Sequence, residues 1–238
     1  MPITDRPIAY EHGGVALEGT LAYDDAQSGA RPIVLVSHTW AGRTDFEIDV
    51  ARRLAGLGYA GFALDLYGKG VTGSGPEECE KLMTPFLEDR AMLHGRLQAA
   101  LAAATKEPEA DAGRAAAIGY CFGGLCVLDM ARIGANVKGV ASFHGLFNAP
   151  AVGKIDKISA KVIAFHGYDD PLAPPSDMTG LADELTKAGA DWQIHAYGAT
   201  GHAFTNPQAN DVAGGMFYKE IAAKRAWRAL EGFLEETL

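Results

Sequence analysis

Five short, largely apolar runs punctuate the chain, at 33–37, 60–64, 115–118, 137–143 and 162–165. A strand covered on both faces needs apolar side chains on both, so continuous hydrophobicity predicts a buried parallel sheet. Helical periodicity fills the gaps. The stretch 46–57 carries Ile48, Val50, Ala51, Leu54 and Leu57 and stops at Gly58. Further helices are expected over 85–104 with Pro85 in the first turn, over 122–133, over 176–188 opening on Ser176, and over 216–237. A last strand is expected over 193–197, and residues 20–23 with the segment before them predict an antiparallel hairpin at the start. Repeated strand–helix units of this size give an α/β fold, a doubly wound and mostly parallel sheet with helices on both faces. No linker divides the chain, so residues 1–238 are expected to form a single domain.

Charge narrows the partners. Lys plus Arg number 21 against 30 Asp plus Glu, a formal net charge of -9. Such a chain repels phosphate backbones and anionic lipid, which argues against nucleic acid and membrane surfaces. Cys79, Cys121 and Cys126 form no CxxC pair, so neither a disulfide framework nor a zinc site is expected. The start has no basic n-region followed by an apolar stretch, so the expected location is the cytoplasm.

In open α/β sheets the chemistry sits beyond the carboxyl ends of the strands. There the segment Gly119-Tyr120-Cys121-Phe122-Gly123-Gly124 reads G-x-C-x-G-G, a nucleophile elbow with cysteine in place of serine. The glycines leave room for a strained strand-to-helix turn. That turn puts the Cys121 sulfur at a helix N-terminus, where backbone N–H groups and the helix dipole favour negative charge. Cys126 lies one turn further on, and Cys79 in what reads as a polar loop.

A nucleophile needs a base and a group to orient it. The strand at 162–165 runs into a loop carrying Asp169 and Asp170, either of which could be the acid. The strand at 193–197 is followed by Gly201-His202-Ala203-Phe204, which puts His202 at the base position. His38, His144 and His166 end strands and suit either the site rim or backbone hydrogen bonds; no ligand spacing among them supports a metal. An oxyanion hole in this arrangement takes the Phe122 N–H and one from the loop 38–42, for which Trp40 is the choice. The segment Gly68-Lys69-Gly70-Val71-Thr72-Gly73 matches GxGxxG but opens no helix directly, so it reads as a mobile loop at the pocket mouth.

Together these motifs resemble the dienelactone hydrolase family of the α/β-hydrolase superfamily. The likeness runs from His38–Gly42 through Leu64-Asp65-Leu66-Tyr67 and the Cys121 elbow to Gly167–Pro174 and Gly201–Phe204. It implies an α/β-hydrolase fold without a separate cap, no cofactor, and cleavage of esters or lactones through a thioester. It also implies Cys121 as nucleophile, His202 as base and, from G-x-x-D-x-x-x-P, Asp170 as acid.

The chain departs from the family's type enzyme. The family's loop Glu appears as Thr39, and its two carboxylate-gripping arginines match Asn206 and a position near Glu78 or Cys79, with Lys81 the nearest cation. A carboxylate ligand would lose its bidentate partners. The expected substrate is therefore a neutral, more apolar ester or lactone, with activated aryl esters and phosphotriesters as side substrates. His38, Thr39, Tyr120, His144, Phe204 and Asn206 are expected around it. An acyltransferase on the same fold and a non-catalytic or redox-sensing module are the rivals.

Overall fold

A computed structural model of the chain describes residues 3–238. In chain order its elements are β1 (Ile3–His12), β2 (Val15–Asp24), β3 (Arg31–Ser37), α1 (Asp45–Gly56), β4 (Ala60–Ala63), α2 (Pro76–Glu88) and α3 (Arg90–Ala104). Then come β5 (Ala110–Tyr120), α4 (Phe122–Arg132), β6 (Gly139–Phe143), β7 (Lys161–Gly167), α5 (Pro175–Lys187), β8 (Trp192–Tyr197), β9 (Asn210–Asp211), β10 (Met216–Phe217) and α6 (Glu220–Thr237). The main sheet has eight strands in the order β1-β2-β4-β3-β5-β6-β7-β8. The pairs β1·β2 and β2·β4 are antiparallel; from β4 to β8 every pairing is parallel. This is the expected α/β-hydrolase architecture.

Alternate residues of the central strands feed two cores. Ile33 and Leu35 face one layer with Leu97 of α3, Leu125 of α4 and Leu181 of α5. Val34 and Val36 face the other with Leu54 of α1 and Leu230 of α6. Each such side chain contributes about 1.5–3 kcal/mol by leaving water, which is why the strands read as continuous apolar runs. The expected hairpin is present, longer than read, and turns at Gly13 and Gly14, both at positive φ.

Three expectations need correction. The helix expected over 85–104 is two helices. Asp89 breaks it and caps α3, its carboxylate accepting from Met92 N–H at 3.0 Å, and α2 has already begun at Pro76, with Pro85 inside it. Cys79 is accordingly a buried residue of the first turn of α2, not part of a polar loop. The last helix begins at Glu220, because residues 210–217 instead form the small β9–β10 hairpin. None of the helices is long and apolar enough to cross a membrane among the described residues.

Candidate active site

Cys121 sits between β5 and α4 at φ 55° and ψ -116°, one of four non-glycine residues at positive φ among those described. Such a conformation costs about 1–3 kcal/mol and persists only when the surroundings over-determine it. Here the Cys121 N–H donates to the Phe143 carbonyl at 3.0 Å, and the Cys121 carbonyl accepts from Gly124 N–H at 2.9 Å. A Cβ on Gly119 would collide with the Gly123 carbonyl, and one on Gly123 with the Ser37 carbonyl. The glycines are thus what let the helix start against the strand.

The loop after β7 delivers Asp170 and the loop after β8 delivers His202. His202 Nδ1 donates to Asp170 Oδ2 at 2.8 Å, and the second carboxylate oxygen accepts from Leu172 N–H at 2.8 Å. Asp169 is exposed and takes no part in that pair. Nδ1 is thereby committed to Asp170, and Nε2 is the ring nitrogen left over; it is buried and has no hydrogen-bond partner among the described residues. Burial alone would lower the pKa of this ring, but the bond to Asp170 and the nearby Cys121 sulfur outweigh it and push it up to about 10. The β9–β10 hairpin holds the backbone of His202 from both sides: its N–H donates to the Gly215 carbonyl at 2.7 Å, and its carbonyl accepts from Phe217 N–H at 3.1 Å.

The other strand-end histidines serve the scaffold around this pair. His144, at φ 38°, stands edge-on to the His202 ring with centroids 5.1 Å apart, and its Nε2 pairs with Thr205 Oγ1 at 2.8 Å. Burial holds its pKa well below the usual range, so it is neutral. His166 Nε2 bonds the Ala173 carbonyl at 2.7 Å. His38 is wholly buried, with both nitrogens engaged by backbone, so it offers a substrate nothing. No group of three or more His, Cys, Asp or Glu is placed to hold a metal ion among the described residues.

Two other pocket expectations move into the core. Tyr120 is stacked on Phe143 with centroids 4.7 Å apart and meets Phe46 edge-on, because the strand alternation turns it toward α1 and α6. Phe204 is fully buried beneath His144 and Tyr197. Asn206 spends its Oδ1 on the Gln208 N–H of its own turn. The Gly-rich loop is tied down near both ends, by Lys69 N–H to the Ala16 carbonyl and Gly73 N–H to the Ala41 carbonyl. Two surface hollows, of about 480 and 430 Å³, are lined by Asp169, Val212 and Phe217 and by Phe147, Ser176 and Glu184. Neither includes Cys121.

Near the elbow, backbone amides differ in whether they have an acceptor. In the loop after β3, Thr39 N–H donates to Glu47 Oε1 at 3.2 Å, Ala41 N–H to Thr39 Oγ1 at 3.4 Å and Gly42 N–H to the Thr39 carbonyl at 3.3 Å. The Trp40 carbonyl accepts from the Tyr67 hydroxyl at 3.0 Å and the Ala41 carbonyl from Gly73 N–H at 2.9 Å. Of the four amides from Thr39 to Gly42, Trp40 N–H is the one with no acceptor among the described residues, and Phe122 N–H at the start of α4 has none either.

Two sets of residues escaped the sequence reading. Glu47 is buried and also caps α1, accepting from Thr44 N–H at 2.9 Å and Thr44 Oγ1 at 2.8 Å. The Thr44-x-x-Glu47 capping box was its visible signal. Beneath the loop after β6, Asp129 receives Arg90 through two bonds of 2.9 Å and pairs with His94 at 2.9 Å, while Arg132 Nη2 donates to the Phe147 carbonyl at 2.8 Å. Its signal was an Asp and an Arg three residues apart inside an otherwise apolar helix. Cys126, fully buried, has its thiol pKa raised well above the usual value by that burial.

A sequence profile of the Dienelactone hydrolase family matches residues 17–238. A dienelactone hydrolase-like promiscuous phosphotriesterase from metagenomic libraries superposes with a TM-score of 0.95 at 34% identity, covering 100% of this chain and 99% of that one. Dienelactone hydrolase from Anabaena variabilis superposes with a TM-score of 0.72 at 22% identity, over 100% of both chains. An uncharacterised Caenorhabditis elegans protein is 34% identical over 150 residues, 60% of this chain and 93% of that one. With nearly its whole length matched by the family profile and the same architecture around the elbow, the chain belongs to the dienelactone hydrolase family.

Proposed function

We propose that Cys121, His202 and Asp170 form the catalytic triad of a cysteine hydrolase acting on neutral esters or lactones through a thioester. Family membership makes the chain an ester-bond hydrolase; the mechanism is read from its residues. The observation that carries it is the strained elbow at Cys121 beside a sealed His202–Asp170 pair.

The proton of the Cys121 thiol passes to His202 Nε2, leaving sulfur anionic at the N-terminus of α4. Sulfur attacks the substrate carbonyl carbon, and the oxygen takes the electron pair. The Phe122 and Trp40 N–H groups hold that oxyanion, each supplying roughly 3 kcal/mol. Collapse breaks the carbon–oxygen bond of the ester, and His202 protonates the departing alkoxide at Nε2. His202 then takes a proton from water, hydroxide adds to the thioester, and the thiolate leaves with the acid product released. Asp170 keeps the proton on Nδ1 throughout, so that Nε2 faces the reaction.

A neutral substrate is supported by what stands where the family's arginines would be. Asn206 is engaged in its own turn, and Glu78 bonds Ser74, so a substrate carboxylate meets no guanidinium at either place. Phosphotriesters are a second substrate class, favoured by the 34% identical promiscuous phosphotriesterase; a phosphoryl oxygen would use the same two N–H groups. Three unpaired thiols suit the reducing cytoplasm.

Mass spectrometry after mixing with a p-nitrophenyl ester tests this. An acyl group on the Cys121 peptide is expected, with turnover lost in Cys121→Ala. Turnover that survives Cys121→Ala rejects the mechanism.

A further inference from the structure

His38 is a fully buried histidine for which the mechanism above has no use. Its two nitrogens are nevertheless assigned without ambiguity. Leu66 N–H points at Nε2 at 3.2 Å, and an amide can only donate, so Nε2 bears no proton. The neutral ring must then carry its proton on Nδ1, which lies 2.6 Å from the Thr39 carbonyl oxygen and donates to it. That carbonyl belongs to the peptide unit whose other half is the Trp40 N–H. Across a planar trans peptide the two bonds point in opposite directions, so fixing one fixes the other.

We propose that His38 is the positioning residue of the oxyanion hole: its Nδ1–H bond to the Thr39 carbonyl aims the Trp40 N–H at the reacting oxygen and polarises it into a stronger donor. A hydrogen bond to a carbonyl draws electron density from the amide nitrogen, so the N–H beyond it donates better. The rest of the loop supports this task. Gly42 N–H meets the same Thr39 oxygen at 3.3 Å, and the Tyr67 hydroxyl, whose ring packs edge-on against His38 with centroids 4.6 Å apart, holds the Trp40 carbonyl at 3.0 Å. Burial lowers the His38 pKa, which keeps the ring neutral and this tautomer in place. The role rests on Trp40 serving the cysteine hydrolase proposed above.

Two substitutions separate the two bonds of the ring. The amide of asparagine reaches where Nδ1 stands and can still serve the Thr39 carbonyl. Glutamine reaches toward Nε2 and serves Leu66 instead. With p-nitrophenyl acetate, His38→Gln is expected to lower kcat roughly 10- to 100-fold, bounded by the loss of a whole oxyanion donor. KM should stay within about threefold, because the interaction is made chiefly in the transition state. His38→Asn should recover most of that loss. Alkylation of Cys121 by iodoacetamide, which develops no oxyanion, should proceed at the wild-type rate in both variants. Equal kcat for glutamine and asparagine, undiminished kcat in both, or alkylation falling in step with kcat would each overturn the role. Cys121→Ala keeps the two levels apart. Turnover in that variant rejects the hydrolase mechanism itself, whereas an inactive Cys121→Ala beside a fully active His38→Gln rejects only the part given to His38.

Discussion

Asp170 and His202 meet at 2.8 Å through Oδ2 and Nδ1, in a place where both side chains are sealed from solvent. They come from loops 32 residues apart. The bond dictates the tautomer, and the tautomer dictates which nitrogen faces sulfur. Asp170→Asn presents an amide whose N–H can face Nδ1, which favours the wrong tautomer. A fall in kcat of roughly 10²- to 10⁴-fold is expected, with the fold intact by circular dichroism. A loss below about tenfold would show that the carboxylate is not the orienting group.

The same pair makes stability depend on pH. His202 titrates near 10 in the folded protein, raised by Asp170 and Cys121 against the effect of burial, and near 6.5 when unfolded. Between those values the folded ring holds a proton that the unfolded chain has released. Its contribution is therefore complete below pH 6.5 and is lost as pH rises through 10. Urea unfolding from pH 6 to 10.5 should show a decline that is shallower in His202→Gln. An identical decline in both proteins would assign the pH dependence to other groups.

At Gly123 the sequence motif meets a steric limit. Its Cβ would run into the Ser37 carbonyl at the end of β3, and backbone cannot step aside as a flexible side chain can. Gly123→Ala should displace α4 from β3 and lower both melting temperature and kcat. Wild-type values for both would show that the close approach is not required.

Asp129 is a prediction about stability alone. It is wholly buried, and three cations meet it: Arg90, Arg132 and, when protonated, His94. Those partners draw its pKa down although burial, the largest single influence, acts the other way. Asp129→Asn leaves the arginines uncompensated, and breaking such a cluster costs about 3–5 kcal/mol. Chemical denaturation should report that loss. A change under about 1 kcal/mol would mean that water reaches the cluster and screens it.

Much of the site was legible because the relevant signals are local. Gly119, Gly123 and Gly124 around Cys121 announce a tight turn wherever they occur between a strand and a helix. His202 was legible by its place in chain order. Legibility failed where a side chain's direction depends on packing. Tyr120 adjoins the proposed nucleophile in sequence, yet the pleat of β5 turns it into the opposite core. Phe204 behaves likewise. Cys79 looked loop-like because the start of α2 at Pro76, after the N-cap Gly75, is a cue outweighed by Pro85 further on.

The sequence by itself determined the layering of the sheet, the position of the elbow and the candidate nucleophile, since hydrophobic period and glycine sterics act over a few residues. It left Asp169 and Asp170 tied as acids until the family resemblance chose between them. Only the tertiary structure could show which carboxylate points at His202, which loop amide remains without an acceptor, and why His38 faces backbone instead of solvent. Each of those is a hydrogen bond between segments far apart in the chain, and its geometry exists only once the strands are side by side.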